Sequence, residues 1–207
     1  MENSSLLLSA FGGALGALLL RSSVKLAGAL LARHRPLAVH ECGVPEPIKT
    51  GELRHSWGHL VDDPRCKTGK AWEHNETKVD QKNDRITWEH TLFGPYLNDF
   101  GKPGYYRVRF RLCAIGFQKN DAGVVILDVV QSRFGTEDIL RLLGQRVVRG
   151  RDLQGKYQDF DLVFFASGSG VYEYRAAILQ RHHVQPESIV RFDRVTVFAH
   201  PSIIETL

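Results

Sequence analysis

Four aromatic residues have the clearest potential for ligand binding in this sequence: Trp57, Trp72, Tyr96 and Tyr105. Each lies in a polar stretch or beside a glycine- and proline-containing turn, with Asp, Asn or Arg residues nearby. A flat aromatic face packs well on the C–H face of a sugar ring, while polar neighbours bond its hydroxyls. These four are therefore the predicted ligand-binding residues, and Tyr96, next to Gly94-Pro95, is the most exposable.

Acidic residues offer a second kind of chemistry. Asp62, Asp63 and Asp193, with nearby backbone carbonyls, are candidates for a structural calcium site, because Ca²⁺ takes about six to eight oxygen ligands. Solvated turn acids are the alternative interpretation. No other cofactor is predicted.

Histidine and cysteine do not form a recognisable metal motif. His55 and His59 would share a face only on a helix, and Ser56-Trp57-Gly58 between them is poor helix material. The three cysteines, Cys42, Cys66 and Cys113, include no C-x-x-C pair, which argues against a thiolate zinc site. Reduced thiols are the default expectation.

Motifs of nucleotide-binding and hydrolytic enzymes are missing from the sequence. Neither G-x-x-x-x-G-K-[ST] nor a G-x-G-x-x-G after a strand occurs. Ser167 and Ser169 lie in a glycine turn that does not match G-x-S-x-G. Glu89 and Glu173 are carboxylates that a glycosidase could use, but no spacing pairs them. The sequence therefore predicts a protein that is not an enzyme.

A row of arginines, Arg107, Arg109 and Arg111, could contact a nucleic acid, and the chain has a formal net charge of +4. Acids on other predicted strands could instead pair with this row across a sheet: Asp128, Asp159, Asp161 and Glu173. A charge-paired outer face is the favoured interpretation, so nucleic acid is not the predicted partner.

The elements that carry these residues alternate in polarity with a period of two, which is typical of half-buried strands. The pattern is clear at 86–92, 106–112 and 160–164, and 124–130 is an apolar run typical of a central strand. Trp88 and Tyr106 lie at apolar positions of such runs and are predicted to be core. Residues 135–150 are expected to be mostly strand. Turn signals rich in Gly, Pro and Asn separate the runs, which predicts an all-β antiparallel sandwich over residues 51–201.

The first part of the chain differs from the rest. Residues 1–35 are apolar and basic, and are predicted to form an N-terminal helix that begins with the apolar run at 6–20. A membrane anchor through residues 5–35, a cleaved targeting peptide and a helix packed on the body are all open alternatives. Residues 36–50 are predicted to be a proline-containing linker, and 202–207 a tail.

Several segments carry a resemblance to a known group of domains: Thr91-Leu-Phe-Gly-Pro-Tyr96, Gly104-Tyr-Tyr-Arg-Val-Arg-Phe110, Val125-Ile-Leu-Asp-Val129, Tyr157-Gln-Asp-Phe160, Glu173-Tyr-Arg175 and Phe192-Asp-Arg-Val195. Over residues 53–198 the chain resembles bacterial carbohydrate-binding-module-like β-sandwich domains that accompany glycosyltransferases and surface-polysaccharide proteins. The resemblance implies a jelly-roll or galactose-binding-like sandwich with a lectin-like, non-catalytic role in binding a glycan or polysaccharide.

The leading prediction is therefore non-catalytic carbohydrate binding by a membrane-associated β-sandwich. The first alternative is a structural or assembly protein whose sandwich docks on a protein partner, such as a separately encoded enzyme. The lesser alternative is a glycan-active hydrolase. The predicted location is a membrane, with export or organelle targeting after removal of the N-terminal segment as the alternative.

Overall fold

The computed structural model describes residues 35–43, 52–56, 58–74, 90–97, 100, 102–132, 141–168, 170–179 and 188–200. Contacts divide the chain into two units, Met1–Arg35 and Pro36–Leu207, and the strands that the structure describes lie in the second. In chain order the strands are β1 (Ala38–Glu41), β2 (Arg54–His55), β3 (His59–Asp62), β4 (Lys70–His74), β5 (His90–Phe93), β6 (Pro95–Leu97), β7 (Gly104–Ile115), β8 (Gly123–Ser132), β9 (Arg141–Arg149), β10 (Gln158–Ala166), β11 (Val171–Ile178) and β12 (Ile189–Ala199). The described residues contain no α-helix, only one 3₁₀ turn, Gly150–Asp152.

These strands form two six-stranded antiparallel sheets, so the prediction of an all-β sandwich is confirmed. The first sheet has the order β10-β7-β12-β4-β3, and β1 also pairs with β12. The second sheet has the order β2-β5-β11-β8-β9, and β6 also pairs with β11. One hydrophobic core is shared by side chains from both sheets.

Strand β7 shows why the alternating sequence folds in this way. Its apolar residues Tyr106, Val108, Phe110 and Leu112 are buried in the core, whereas the arginines between them are only half-buried. Successive side chains of a strand point to opposite faces, so β7 presents one apolar and one cationic face. Strand β10 alternates in the same way, and its inward side chains join the same core.

Strand β8 confirms the prediction of a central strand at 124–130. It lies between β11 and β9, and every residue from 124 to 130 is buried. The single charge in this run, Asp128, accepts two hydrogen bonds from Arg175 on β11, at 2.7 and 2.9 Å. Such pairing offsets part of the cost of burying a carboxylate.

One predicted segment needs revision, and the strand predicted within 135–150 is confirmed for the residues that the structure describes. Residues 38–41, expected to belong to a linker, form strand β1, which pairs with residues 194–197 of β12. The prolines of this segment favour an extended chain, and its pairing with β12 depends on a partner more than 150 residues away. Strand β9 accounts for the second half of the segment 135–150, while 135–140 lie outside the described residues.

The predicted N-terminal helix, Trp88 and the tail at 202–207 also lie outside the described residues. Within the described ranges, the structure has no helix with the length and apolarity needed to cross a membrane.

Candidate functional site

On the outer face of the first sheet, strands β7 and β10 carry a group of exposed aromatic and half-exposed charged side chains. The antiparallel register places four pairs of residues opposite each other along the outward side of these strands: Tyr105 with Phe165, Arg107 with Val163, Arg109 with Asp161, and Arg111 with Asp159. We call these eight residues the outer ladder. Because outward positions recur every second residue, the four pairs follow one another along a single surface.

An aromatic pair forms one end of the outer ladder. Tyr105 is 47% exposed and Phe165 is 50% exposed, and their ring centroids lie 5.3 Å apart at 71°, an edge-to-face arrangement. Val163, also about half exposed, continues this apolar surface along β10. Tyr105 was a predicted ligand-binding residue. Phe165 was missed, although the alternation at 160–164 already places the next residue on the outward face.

Ion pairs form the other end of the outer ladder. The Nε and Nη2 atoms of Arg109 donate to the two carboxylate oxygens of Asp161 at 2.7 and 2.8 Å. Arg111 Nη1 lies 3.3 Å from Asp159 Oδ1. The hydrogen bonds between Arg109 and Asp161 raise the pKa of the arginine and lower that of the carboxyl. The predicted charge-paired outer face is therefore confirmed for Asp159 and Asp161, whereas Asp128 pairs with Arg175 on the other sheet.

A pocket of about 260 Å³ adjoins the charged end of the outer ladder. We call it the basic pocket, and its lining residues are Pro36, Val39, Lys67, Arg109, Arg111, Asp159, Arg194, Thr196 and Phe198. They come from β7, β10 and β12, from β1 and the residues before it, and from the turn between β3 and β4. Phe198 is the aromatic residue of this lining, and the centroid of its ring lies 4.5 Å from the Arg107 guanidinium and 5.5 Å from that of Arg109.

The turn that carries Lys67 is held by backbone hydrogen bonds. The amide of Cys66 donates to Asp63 O at 3.0 Å, and the amide of Gly69 donates to Cys66 O at 3.1 Å. The Lys67 amide also donates to the Asp193 side chain at 3.4 Å, which ties the turn to β12. Lys67 is therefore held in place at the rim of the basic pocket, although its ammonium group is exposed.

Trp72 and Tyr96, two of the other predicted ligand-binding residues, do not lie on the outer ladder. Trp72, on β4, packs against the core, and His55 stacks on its ring at 3.9 Å and 11°. One face of this indole is therefore covered. The reason is its register: Trp72 pairs with the buried Phe192, which directs it inward. Trp57 lies outside the described residues.

Tyr96 lies on β6 of the second sheet and is 41% exposed. The Arg54 guanidinium lies 5.3 Å from its ring centroid, and its hydroxyl bonds to Glu173. Burial, and then the neighbouring carboxylate, raise the pKa of Tyr96, and burial raises the pKa of Glu173. Tyr96 and Tyr105 thus belong to different sheets, so the structure does not unite the predicted aromatic residues in one site.

The candidate calcium ligands are occupied by cations of the protein itself. Asp62 is exposed and pairs with Lys70 at 2.9 Å. Asp63 is buried and accepts hydrogen bonds from Arg65 at 2.8 and 2.7 Å, from the Tyr157 hydroxyl at 3.1 Å and from Arg191 at 3.1 Å. The bonds from Arg65 lower the pKa of Asp63 well below its usual range.

Asp193, the third candidate calcium ligand, is fully buried. Its Oδ2 atom lies 3.0 Å from Arg111 Nε and 3.2 Å from Arg194 Nη1. Among the described residues, no three His, Cys, Asp or Glu side chains are grouped to hold a metal ion. Calcium at Asp62, Asp63 and Asp193 stays a prediction, and binding there would require these ion pairs to open.

The three cysteines are buried and unbridged, in agreement with the expectation of reduced thiols. Cys66 Sγ donates to the Tyr157 hydroxyl at 3.0 Å, and burial raises the pKa of this thiol to about 11. A thiol in such surroundings is protonated at neutral pH and is a poor nucleophile.

No protein-family model and no curated protein matches this chain. Solved structures that are similar to it include three from bacteria. A carbohydrate-binding module of Cellvibrio mixtus lichenase 5A, in complex with cellotriose, is 9% identical with a TM-score of 0.45, over 81% of this chain and 100% of that one. A family 35 carbohydrate-binding module from Clostridium thermocellum is 9% identical with a TM-score of 0.43, over 79% and 99%.

The third structure, the K1 cleaved adhesin domain of Lys-gingipain from Porphyromonas gingivalis, is 13% identical with a TM-score of 0.46, over 79% and 98% of the two chains. The carbohydrate-binding modules among these structures are the kind of domain that the sequence resembles.

Proposed function

We propose that this protein binds a glycan without cleaving it, through the outer ladder of a jelly-roll sandwich. The observation that carries the proposal is the pair Tyr105 and Phe165, two half-exposed rings held 5.3 Å apart on a face whose other residues are mostly charged. Exposed aromatic rings beside fixed polar groups are the combination that a sugar requires, because each pyranose has an apolar C–H face and a rim of hydroxyls.

The two ends of the outer ladder supply different parts of the binding energy. Covering the rings of Tyr105 and Phe165 removes apolar surface from water, which favours association. The ion-paired side chains of Arg109 and Asp161 are already fixed by their mutual hydrogen bonds, so little side-chain entropy is lost when they bond a hydroxyl. An open face of this kind gives weak binding, with a Kd on the order of 10⁻³ to 10⁻⁵ M, or about 4–7 kcal/mol.

The test is a glycan array followed by calorimetric titration of the best ligand. Tyr105→Ala and Phe165→Ala are each expected to weaken binding at least about tenfold, because each removes half of the aromatic pair. Leu142→Ala is the matched control, since Leu142 is a similarly exposed apolar residue on β9 of the second sheet.

Tyr96→Ala distinguishes the two sheets. Binding that survives Tyr105→Ala but is lost in Tyr96→Ala would place the glycan on the second sheet and overturn the proposed site. Absence of binding to any glycan on the array would overturn the proposed function.

Docking on a protein partner is the second candidate, and one observation favours it. Val163, Phe165 and Tyr105 form an exposed apolar surface beside the edge strand β10, and such surfaces also suit protein contacts. Recovery of one stoichiometric protein partner, lost in Phe165→Ala, together with no glycan signal, would establish this alternative.

Membrane association through residues 5–35 is a further part of the proposal. It is supported by the apolar and basic composition of that segment. Cell fractionation of the full chain and of a form that begins at residue 36 tests it. The truncation should not extend further, because Ala38–Glu41 form β1. Equal distribution of both forms between membrane and soluble fractions would contradict membrane association.

A further inference from the structure

The charges that surround the basic pocket differ in how far they are exposed. The side chains of Arg111 and Arg194 are 28% and 29% exposed, and both point their guanidinium groups at Asp193, which is 0% exposed. This carboxylate lies at a bulge of β12, between the paired residues Phe192 and Arg194, and has no strand partner of its own. A bulge changes the direction of a side chain, and here it places the anion beneath the two arginines.

Lys67 shows the same arrangement at the rim of the pocket. Its side chain is 65% exposed, and its nearest acid, Glu41 at 3.6 Å, is only 18% exposed. The lining of the pocket contains four cationic side chains and one carboxylate, Asp159. Asp193 and Glu41 are thus less exposed than the cations that they pair with, whereas Asp159 and Asp161 are about as exposed as their partner Arg109. A ligand therefore meets positive charge mainly at Lys67, Arg111 and Arg194.

We infer that the basic pocket binds an anionic group on a sugar ring, a carboxylate or a sulfate ester, and so directs the protein to acidic polysaccharides. Arginine is suited to this role because its planar guanidinium donates to carboxylate and sulfate oxygens in pairs. The volume of about 260 Å³ is small for a ligand site and matches one sugar unit. Phe198 lies in the same lining but is only 8% exposed and lies beneath the Arg107 and Arg109 guanidinium groups, so the cations carry the recognition.

This inference rests on the proposed function, because the pocket and the outer ladder share Arg109, Arg111 and Asp159. A glycan chain that stacks on Tyr105 and Phe165 runs towards the pocket along the row of pairs. The pocket and the outer ladder therefore form one binding surface. On it, the aromatic pair provides affinity for sugars in general, and the pocket provides selectivity for charged ones.

An acidic polysaccharide fits the surface better than a nucleic acid does. Asp159 and Asp161 lie among the arginines, so the outer ladder presents alternating charges and lacks the unbroken row of cations that would follow a phosphate backbone. The cations also converge on one small pocket instead of following an extended groove.

The experiment compares matched pairs of polymers that differ only in charge: dextran sulfate with dextran, and polygalacturonate with its methyl ester. Affinity is measured for the full chain at low and at physiological salt. We expect the charged member of at least one pair to bind about tenfold tighter or more, with a preference that declines as salt rises. The pair that shows the preference identifies sulfate or carboxylate as the group recognised.

Two variants locate the selectivity. Arg194→Gln is expected to reduce the ratio of charged to neutral affinity about tenfold, since it removes one guanidinium from the pocket. Lys67→Gln is expected to reduce it about threefold, and its exposed position makes loss of folding no concern. Arg151→Gln is the control, because this arginine is exposed in the 3₁₀ turn and does not line the pocket.

The outcomes separate the two hypotheses. Equal binding of charged and neutral polymers, with loss in Tyr105→Ala, overturns the inference while the proposed function stands. A preference for charge that both Arg194→Gln and Lys67→Gln leave unchanged also overturns it. Duplex DNA that binds as tightly as dextran sulfate, and loses binding in Arg194→Gln, shows a general polyanion site and overturns it as well. No binding of any polymer overturns both.

Discussion

Arg111 Nε lies 3.0 Å from Oδ2 of the fully buried Asp193, across the pairing of β7 with β12. Arg194 Nη1 lies 3.2 Å from the same oxygen, so one buried carboxylate forms ion pairs with two arginines of the basic pocket. The same ion pairs therefore stabilise the first sheet and hold two positive charges at the basic pocket. A carboxylate removed from water in this way is retained at a cost, which its cationic partners offset.

Replacement of this carboxylate should therefore destabilise the fold. Asp193→Ala leaves Arg111 and Arg194 without their shared partner and should lower the free energy of unfolding by about 3 kcal/mol. Urea denaturation followed by circular dichroism measures the change. Asp62→Ala is the control, because its carboxylate is 88% exposed and forms only a surface pair with Lys70. Equal effects of the two substitutions would contradict the importance of the buried pair.

Two buried tyrosines should respond in opposite ways to loss of the hydroxyl. The Tyr174 hydroxyl is buried and has no hydrogen-bond partner within the described part of the chain. Tyr174→Phe should thus be neutral or stabilising by up to about 1 kcal/mol. Tyr106 donates to the carbonyls of Phe100 and Lys102 at 2.9 and 2.7 Å, so Tyr106→Phe should cost about 1 kcal/mol.

Thermal unfolding of the two phenylalanine variants beside the unmodified protein decides this prediction. A Tyr174→Phe variant that melts below Tyr106→Phe would show that the Tyr174 hydroxyl has a partner that stabilises the fold.

The pH dependence of stability should report on Glu173. Burial raises the pKa of this carboxyl in the folded protein. The folded state then binds the proton of Glu173 more tightly than the unfolded chain does. The stabilisation that this proton gives the fold is therefore complete below the ordinary glutamate pKa of about 4.3, and it is lost as pH rises through the raised pKa. Glu173→Gln mimics the protonated form and should raise the melting temperature at about pH 7 but not at about pH 4.

Melting curves of Glu173→Gln and the unmodified protein across this pH range provide the measurement. A variant that melts lower at neutral pH, with the deficit vanishing in acid, would mean that the ionised carboxylate stabilises the fold and would refute the prediction.

Close backbone approach makes Gly150 intolerant of a side chain. A Cβ atom on this buried glycine would overlap the carbonyl oxygen of Gln118, which belongs to the backbone and cannot move independently. Gly150→Ala should destabilise the protein by about 2 kcal/mol. Gly104→Ala is the matched control: its added Cβ would meet only Tyr106, at 3.9 Å, and the change should stay within about 0.5 kcal/mol. Urea denaturation of both variants compares them.

Alternating polarity was enough to predict the longer strands and the faces of the sandwich, because such a pattern has one favourable arrangement at the boundary between core and water. The inward direction of Tyr106 and Phe110, the outward arginines of β7 and the buried run at 124–130 all followed from this pattern. Tyr105 was predicted as a ligand-binding residue because it lies beside a glycine- and proline-containing turn.

Which residues come into contact depended on the packing of distant strands. Tyr105 and Phe165 are neighbours because of the register between β7 and β10, and the same register selects Asp161 as the partner of Arg109. Trp72 cannot stack on a ligand with the face that His55, on the other sheet, already covers. Residues 38–41 form a strand because they pair with β12. Register and stacking depend on contacts between residues far apart in the chain, and these contacts leave no local signal in polarity or propensity.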